Sequence, residues 1–139
     1  MCALSTWETI GWVPDVRAAL ATITGAPPFP DAETFRGTMG KGQWHLPEFV
    51  EQQLATHGFE EIEVEVVPSS SFIESAAFYA EQYSEMMVQL TTRFWNDEDR
   101  DKYGGLVKPA LLKYLTEKYG EGKPFEMKMV AIIATARKP

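Results

Sequence analysis

Trp44 to Val67, WHLPEFVEQQLATHGFEEIEVEVV, is the stretch whose reading decides the fold. Pro47 suits the first turn of a helix, where its missing N–H would have no helical partner anyway. Phe49, Val50 and Leu54 fall on one face of a helical period. Gly58 stands where a helix end calls for a positive φ. Beyond it, Phe59, Ile62, Val64 and Val66 alternate with Glu61, Glu63 and Glu65, the period-two signature of a strand with one wet face. Helix, glycine stop and half-buried strand make an α/β unit.

Upstream, Met1 to Trp7 is short and apolar and reads as a buried strand, with Glu8 to Gly11 as the loop that follows it. Pro14 and Asp15 open a helix whose apolar positions are Val16, Ala19, Leu20 and Ile23, ending near Thr24-Gly25. Ala26 to Gln43 is a long, proline- and glycine-containing connection, and its apolar residues Phe29, Phe35 and Met39 fold it back over a surface. Gly37, Gly40 and Gly42 follow no predicted strand and carry no Lys-Ser/Thr pair, so they read as flexibility and not as a phosphate cradle.

Downstream, Ser71 with Glu74 has the spacing of a capping box and starts a helix there. Phe72, Ala76, Tyr79, Tyr83, Met86, Met87, Leu90 and Phe94 trace its wide apolar face. Asn96 caps a second helix, with Asp97, Glu98 and Asp99 at its positive end. Gly104-Gly105 and Pro109 break it before Val107 to Tyr119 resumes. Phe125 to Ala136 is the closing strand, and its run Met129 to Ile133, apolar on both faces, places it centrally in a sheet.

The chain of 139 residues has room for one domain, spanning 1–139. Its net charge is −7, from 20 acidic against 13 basic residues. The cations form no basic stripe, which argues against a nucleic-acid surface. No apolar run is long enough for a membrane span, and the N-terminus lacks signal-peptide design. The lone Cys2 has no internal disulfide partner and reads as a small apolar residue in a reducing compartment. A cytoplasmic protein is the expectation.

The succession ALSTWETIGW, a helix, then Trp44, Pro47-Glu48-Phe49, Leu54, Gly58-Phe59, Ile62 and Val64, then paired helices and a last strand, resembles the C-terminal half of class I S-adenosylmethionine-dependent methyltransferases of fungal secondary metabolism. The resemblance implies a Rossmann-like α/β half-domain. Its small mixed sheet would hold Ala3–Trp7 as strand five, Ile62–Val67 as strand six and Met127–Ala136 as strand seven, ordered five-seven-six, with residues 71–119 as lid helices. The family's glycine-rich cofactor turn, its acidic residue after strand two and its residues after strand four have no counterpart here. No autonomous cofactor binding is therefore expected. A half-fold of this kind leaves an open strand edge, which implies a homodimer or a full-length methyltransferase as partner.

Within that frame His45 is the candidate general acid–base group, since an imidazole can give or take a proton near neutrality, and Glu8, after strand five, is the second. Trp7, Trp12, Trp44, Tyr79, Tyr83, Met86, Met87 and Phe94 are candidates to line an apolar substrate pocket, with Thr6 beside them. The helical members of that set also read as packing core. His57 reads as a helix-end residue. Two distant histidines and one cysteine make no metal cluster. The reading that results is an enzyme acting on a hydrophobic natural product by cyclisation, isomerisation or dehydration, with a non-catalytic or complementing methyltransferase partner as the alternative.

Overall fold

The computed structural model describes residues 1–91 and 93–139. Along the chain run β1 (Cys2–Ile10), α1 (Val13–Ala21), α2 (Ala32–Gly37), α3 (Pro47–Thr56), β2 (Glu60–Ile73), α4 (Ala76–Thr91), α5 (Asp97–Tyr103), a 3₁₀ turn at Gly104–Leu106, α6 (Val107–Tyr119) and β3 (Phe125–Arg137). They fall into two compact units. One is built from Met1–Gly11, Arg36–Ser71 and Lys128–Pro139, the other from Trp12–Phe35 and Phe72–Met127.

The first unit is a three-stranded sheet in the order β1-β3-β2. β1 pairs with β3 antiparallel, from Cys2 opposite Ala136 to Ile10 opposite Met129. The sheet is antiparallel throughout, where a mixed sheet was expected. With β3 in the middle, each outer strand has only that one neighbour, and both pairings run against it. One face of the sheet carries α3: Val50 and Leu54 pack on Ile132, Ala134 and Ala136, with Leu4, Phe59, Ile62 and Val64 around them. Gly58 ends the helix at φ +77° as its position demanded. His57 caps the same end, with its Nδ1 2.7 Å from the Gln53 carbonyl oxygen.

Several local expectations fail here, and the outer positions of β1 and β2 account for two of them, the half-burial of β1 and the length of β2. β1 is half-buried in alternation along its length instead of fully buried, and Cys2 is half-buried with it. It also runs on through Glu8 to Ile10, where a loop was expected. β2 does not stop at Pro68 but continues to Ile73. A proline removes one ladder donor, which an outer strand can spare. The strand therefore passes straight through the Ser71–Glu74 spacing, and α4 starts at Ala76 with Ser75 Oγ accepting from the Phe78 N–H at 3.1 Å. The alternation in β2 also slips, so that Val66 is exposed and Val67 half-buried.

The second unit is helical, with α6 packed against both α1 and α4. Its buried side chains include Val16 and Leu20 of α1, Tyr79 and Met87 of α4, and Leu111 and Leu115 of α6. Asp15 of α1, 4% exposed, accepts from Lys118 Nζ at 2.5 Å and from the Tyr119 hydroxyl at 2.7 Å, tying α1 to the end of α6. The Tyr119 ring stacks on Phe125 with centroids 4.0 Å apart. Asn96 caps α5 as expected, its Oδ1 accepting from the Asp99 N–H at 2.8 Å. The glycine pair forms the 3₁₀ turn, and Pro109 sits in the first turn of α6, where it costs no helical hydrogen bond. The connection after α1 is not wholly irregular. Asp31 Oδ1 accepts from the Thr34 N–H at 2.8 Å and starts α2, and that bond holds the Asp31 carboxyl below its ordinary range.

Candidate ligand-binding site

A cavity of about 440 Å³ lies in the first unit, between β1 and the segment 36–45. Leu4, Ser5, Thr6 and Trp7 all line it. Successive residues of a pleated strand point to opposite faces, so four in a row can line one space only along the strand's edge. The cavity is thus built on the side of β1 that faces away from β3.

The strand is irregular there. Trp7 lies opposite Ala131 but Thr9 lies opposite Val130, which leaves Glu8 as an extra residue. Such a bulge takes a residue out of the ladder and re-aims its groups. The Glu8 carbonyl accepts a hydrogen bond from Arg36 Nη1 at 3.2 Å, and Arg36 lines the cavity. One extra residue in β1 therefore anchors the segment that forms the opposite wall.

That wall ends in Trp44 and His45. They occupy the two central positions of a turn closed by the Leu46 N–H on the Gln43 carbonyl at 2.9 Å. The Trp44 indole N–H donates to the Lys41 carbonyl at 2.9 Å, and its ring stands edge-on to Phe49 of α3 at 5.3 Å and 84°. Gly42 makes this possible. Its φ is +108°, and a Cβ added there would lie 2.5 Å from the Phe49 ring. The glycine read as flexibility is required by conformation and by space.

The candidates from the sequence separate cleanly. Trp7 (42% exposed), Trp44 (37% exposed) and half-buried His45 line the cavity. Thr6 lines it as well. Glu8 does not, and contributes its backbone carbonyl instead. Trp12, Tyr79, Tyr83, Met86, Met87 and Phe94 belong to the second unit. There Trp12 packs on Phe29 and Phe35, Phe94 packs on Phe29, and the Tyr79 and Tyr83 rings lie 4.7 Å apart. Met87 is fully buried and Met86 40% exposed. Burial pushes the Tyr79 phenol well above the ordinary tyrosine value, with Tyr83 and Asp15 adding in the same direction.

Sequence reasoning did not single out Arg36 or Ser5. The signal for Arg36 was the Asp31-Ala32-Glu33-Thr34 start of α2, which carries Arg36 near its end.

Gly11 is the one glycine between β1 and α1, and a Cβ on it would meet the Lys128 carbonyl oxygen at 1.9 Å. That glycine serves the close approach of β1 to β3, not a ligand. Among the described residues, no group of three or more His, Cys, Asp or Glu side chains could hold a metal ion. No helix among them is long and apolar enough to cross a membrane.

No family model matches the chain. Individual proteins do. Methyltransferase tpcH of Aspergillus fumigatus is 30% identical over 99% of this chain and 48% of its own length. The acetylaranotin bis-thiomethyltransferase of Aspergillus terreus is 31% identical, over 99% and 49%. Methyltransferase ktnA of Aspergillus niger is 34% identical, over 99% and 45%. The chain spans about half the length of the curated relatives it matches. It corresponds, over nearly all of its residues, to half of a fungal secondary-metabolite methyltransferase, in keeping with the C-terminal half that its sequence resembles.

Proposed function

We propose that the chain binds a hydrophobic small molecule in the cavity along β1 and acts on it by acid–base chemistry through His45, without S-adenosylmethionine. The observation that carries this is the cavity itself, about 440 Å³ with Trp7, Trp44 and His45 on its walls. That volume lies in the range of small-molecule sites, and the lining pairs apolar rings with a few polar groups, as such sites do. Trp7 and Trp44 offer ring surfaces for a flat substrate. His45, half-buried beside them, is placed to give or take a proton in a cyclisation, isomerisation or dehydration, which needs no electron carrier. Ser5 and Thr6 add hydrogen-bonding groups along the same edge.

The test has two arms. Calorimetric titration of the purified chain with S-adenosylmethionine should show no binding, and tight binding overturns the proposal. With a substrate found by screening natural-product extracts for turnover, His45→Gln should lower the rate about 100-fold or more while leaving the fold intact. An unchanged rate removes His45 from the mechanism.

One observation favours a second reading. β1 is an outer strand, and an open edge is a template for another strand. A polypeptide seated there, from a second copy of the chain or from a full-length methyltransferase, would occupy the space assigned to the ligand. The two readings thus exclude each other at the same residues. Light scattering at micromolar concentration tests the second copy: a monomer that binds small molecules supports the first reading, and a dimer that does not bind them supports the second.

A further inference from the structure

We infer that the molecule the cavity takes is an aromatic lactam, a flat ring system whose secondary amide pairs with the main chain of β1. The inference rests on the reading of this cavity as a ligand site and names the chemical class of what enters it.

The strand wall is the first argument. Leu4, Ser5, Thr6 and Trp7 line the cavity in succession, so it opens onto the outer edge of β1. In an antiparallel pair every second residue turns both its N–H and its C=O away from the partner strand. Leu4 to Trp7 pair in regular register with Ala134 to Ala131, ahead of the shift at Glu8, so the alternation holds along the whole wall. The wall therefore presents donors and acceptors side by side, either from Leu4 and Thr6 or from Ser5 and Trp7. At the bulge the protein fills this edge itself, since the Glu8 carbonyl accepts from Arg36 Nη1 at 3.2 Å. Among the described residues, no such bond from outside the sheet reaches the main chain of Leu4 to Trp7.

The second argument is what a guest must do to those groups. A guest that covers them without bonding them takes them out of water for nothing in return. One that carries a donor beside an acceptor pairs with both, as an added strand does at a sheet edge. A secondary amide is a compact group with that pattern. The facing wall sets the rest of the molecule. The Trp44 indole N–H is already given to the Lys41 carbonyl at 2.9 Å, so Trp44 offers the guest its ring surface. Trp7 offers a second ring. Directional bonding thus falls to the strand and flat apolar contact to the two indoles.

The experiment titrates the full chain by calorimetry with quinolin-2-one and with its N-methyl derivative, in which the donor is blocked. The isomer 4-methylquinolin-2-one, which keeps the N–H, controls for the bulk of the methyl group. Both N–H compounds should bind about tenfold more tightly than the N-methyl compound. Amide hydrogen exchange followed by NMR supplies a readout of the main chain itself. In the free chain every second amide among Leu4 to Trp7 should exchange fast, and quinolin-2-one should protect those amides while the N-methyl compound does not. Equal binding of the two methyl isomers, or protection confined to residues other than these four, overturns the inference. The failures are distinguishable. If the isomers bind equally and Trp44→Leu abolishes both, the cavity stands as a ligand site and only the amide pairing falls. If none of the three compounds binds, this inference falls, while the ligand-site reading is still decided by the turnover of His45→Gln.

Discussion

The aromatic residues that pack together in the helical unit differ in exposure from those that line the cavity of the sheet unit. In the helical unit Phe29, Tyr79 and Trp95 are 1–3% exposed, and the Trp95 indole N–H is satisfied by the Pro27 carbonyl at 3.1 Å. Phe29 sits among Trp12, Phe35 and Phe94, all within 6.3 Å between ring centroids. In the sheet unit Trp7 and Trp44 are 42% and 37% exposed and face a cavity. An aromatic in the packed interior, on α4 like Tyr79 or in a connection like Phe29 and Trp95, finds partners on all sides. One on an outer strand, or on a turn that closes over it, lacks them on one side. Exposure alone does not mark the site, since Phe72 and Phe78 of the helical unit are 67% and 39% exposed without lining the cavity; Trp7 and Trp44 are set apart by facing a concave wall.

That contrast can be broken by mutation. The largest effect should come from the helical unit: Met87→Ala removes a fully buried side chain and should cost about 3 kcal/mol in chemical denaturation, while the folded fraction still binds ligand in the cavity. A cost near zero would mean that α4 is not packing core. Next, Asp15→Asn removes the charge that pairs with Lys118 and accepts from Tyr119 across α1 and α6. It should cost about 2 kcal/mol, discounted from the full value for a buried pair because the Lys118 side chain is 44% exposed. Urea melts of the variant check this, and an unchanged midpoint would show the contact to be incidental.

A smaller effect concerns pH. Folding raises the Tyr79 phenol above its ordinary value of 10.0, so above that pH the unfolded chain releases its proton first. Stability is then fully present below about pH 10 and falls as pH rises, by about 1 kcal/mol one pH unit higher. Lys118, raised by its bond to Asp15, acts in the same direction. Tyr79→Phe should make the alkaline decline shallower, and an identical decline in the variant would exclude Tyr79 as its source. The smallest effect on stability should be that of Trp44→Ala, below about 1 kcal/mol because the ring is exposed on one side. Its binding defect, in contrast, should be the most severe of the set, so the same titration that leaves Met87→Ala unchanged should fail for Trp44→Ala.

How much of this was legible in the sequence differed by element. α3, its Gly58 stop and the start of β2 followed from periodicity and capping, as did the Asn96 cap and the span of α6. Their signals lie within a few residues of each other along the chain. The candidate site was legible only in part. Trp7, Trp44 and His45 were singled out, but so were six residues of the other unit: Trp12 because it follows the first strand, and the other five because a Met and aromatic stripe looks alike whether it lines a pocket or packs a core. Arg36 escaped because its place depends on α2 and on a bulge opposite Val130, far away in sequence.

The sequence by itself determined the alternation of helices and strands, the acidic balance and the resemblance to half of a methyltransferase, since each is carried by residue order and composition. The last strand was already expected to be central, with the other two outside it; tertiary structure decided how the outer strands behave. Their positions let β2 run through Pro68, left β1 half-buried and opened the edge on which the cavity is built. A strand's own residues do not encode where along its neighbour it pairs. Partners are fixed by pairing between segments more than a hundred residues apart, as Cys2 with Ala136 shows.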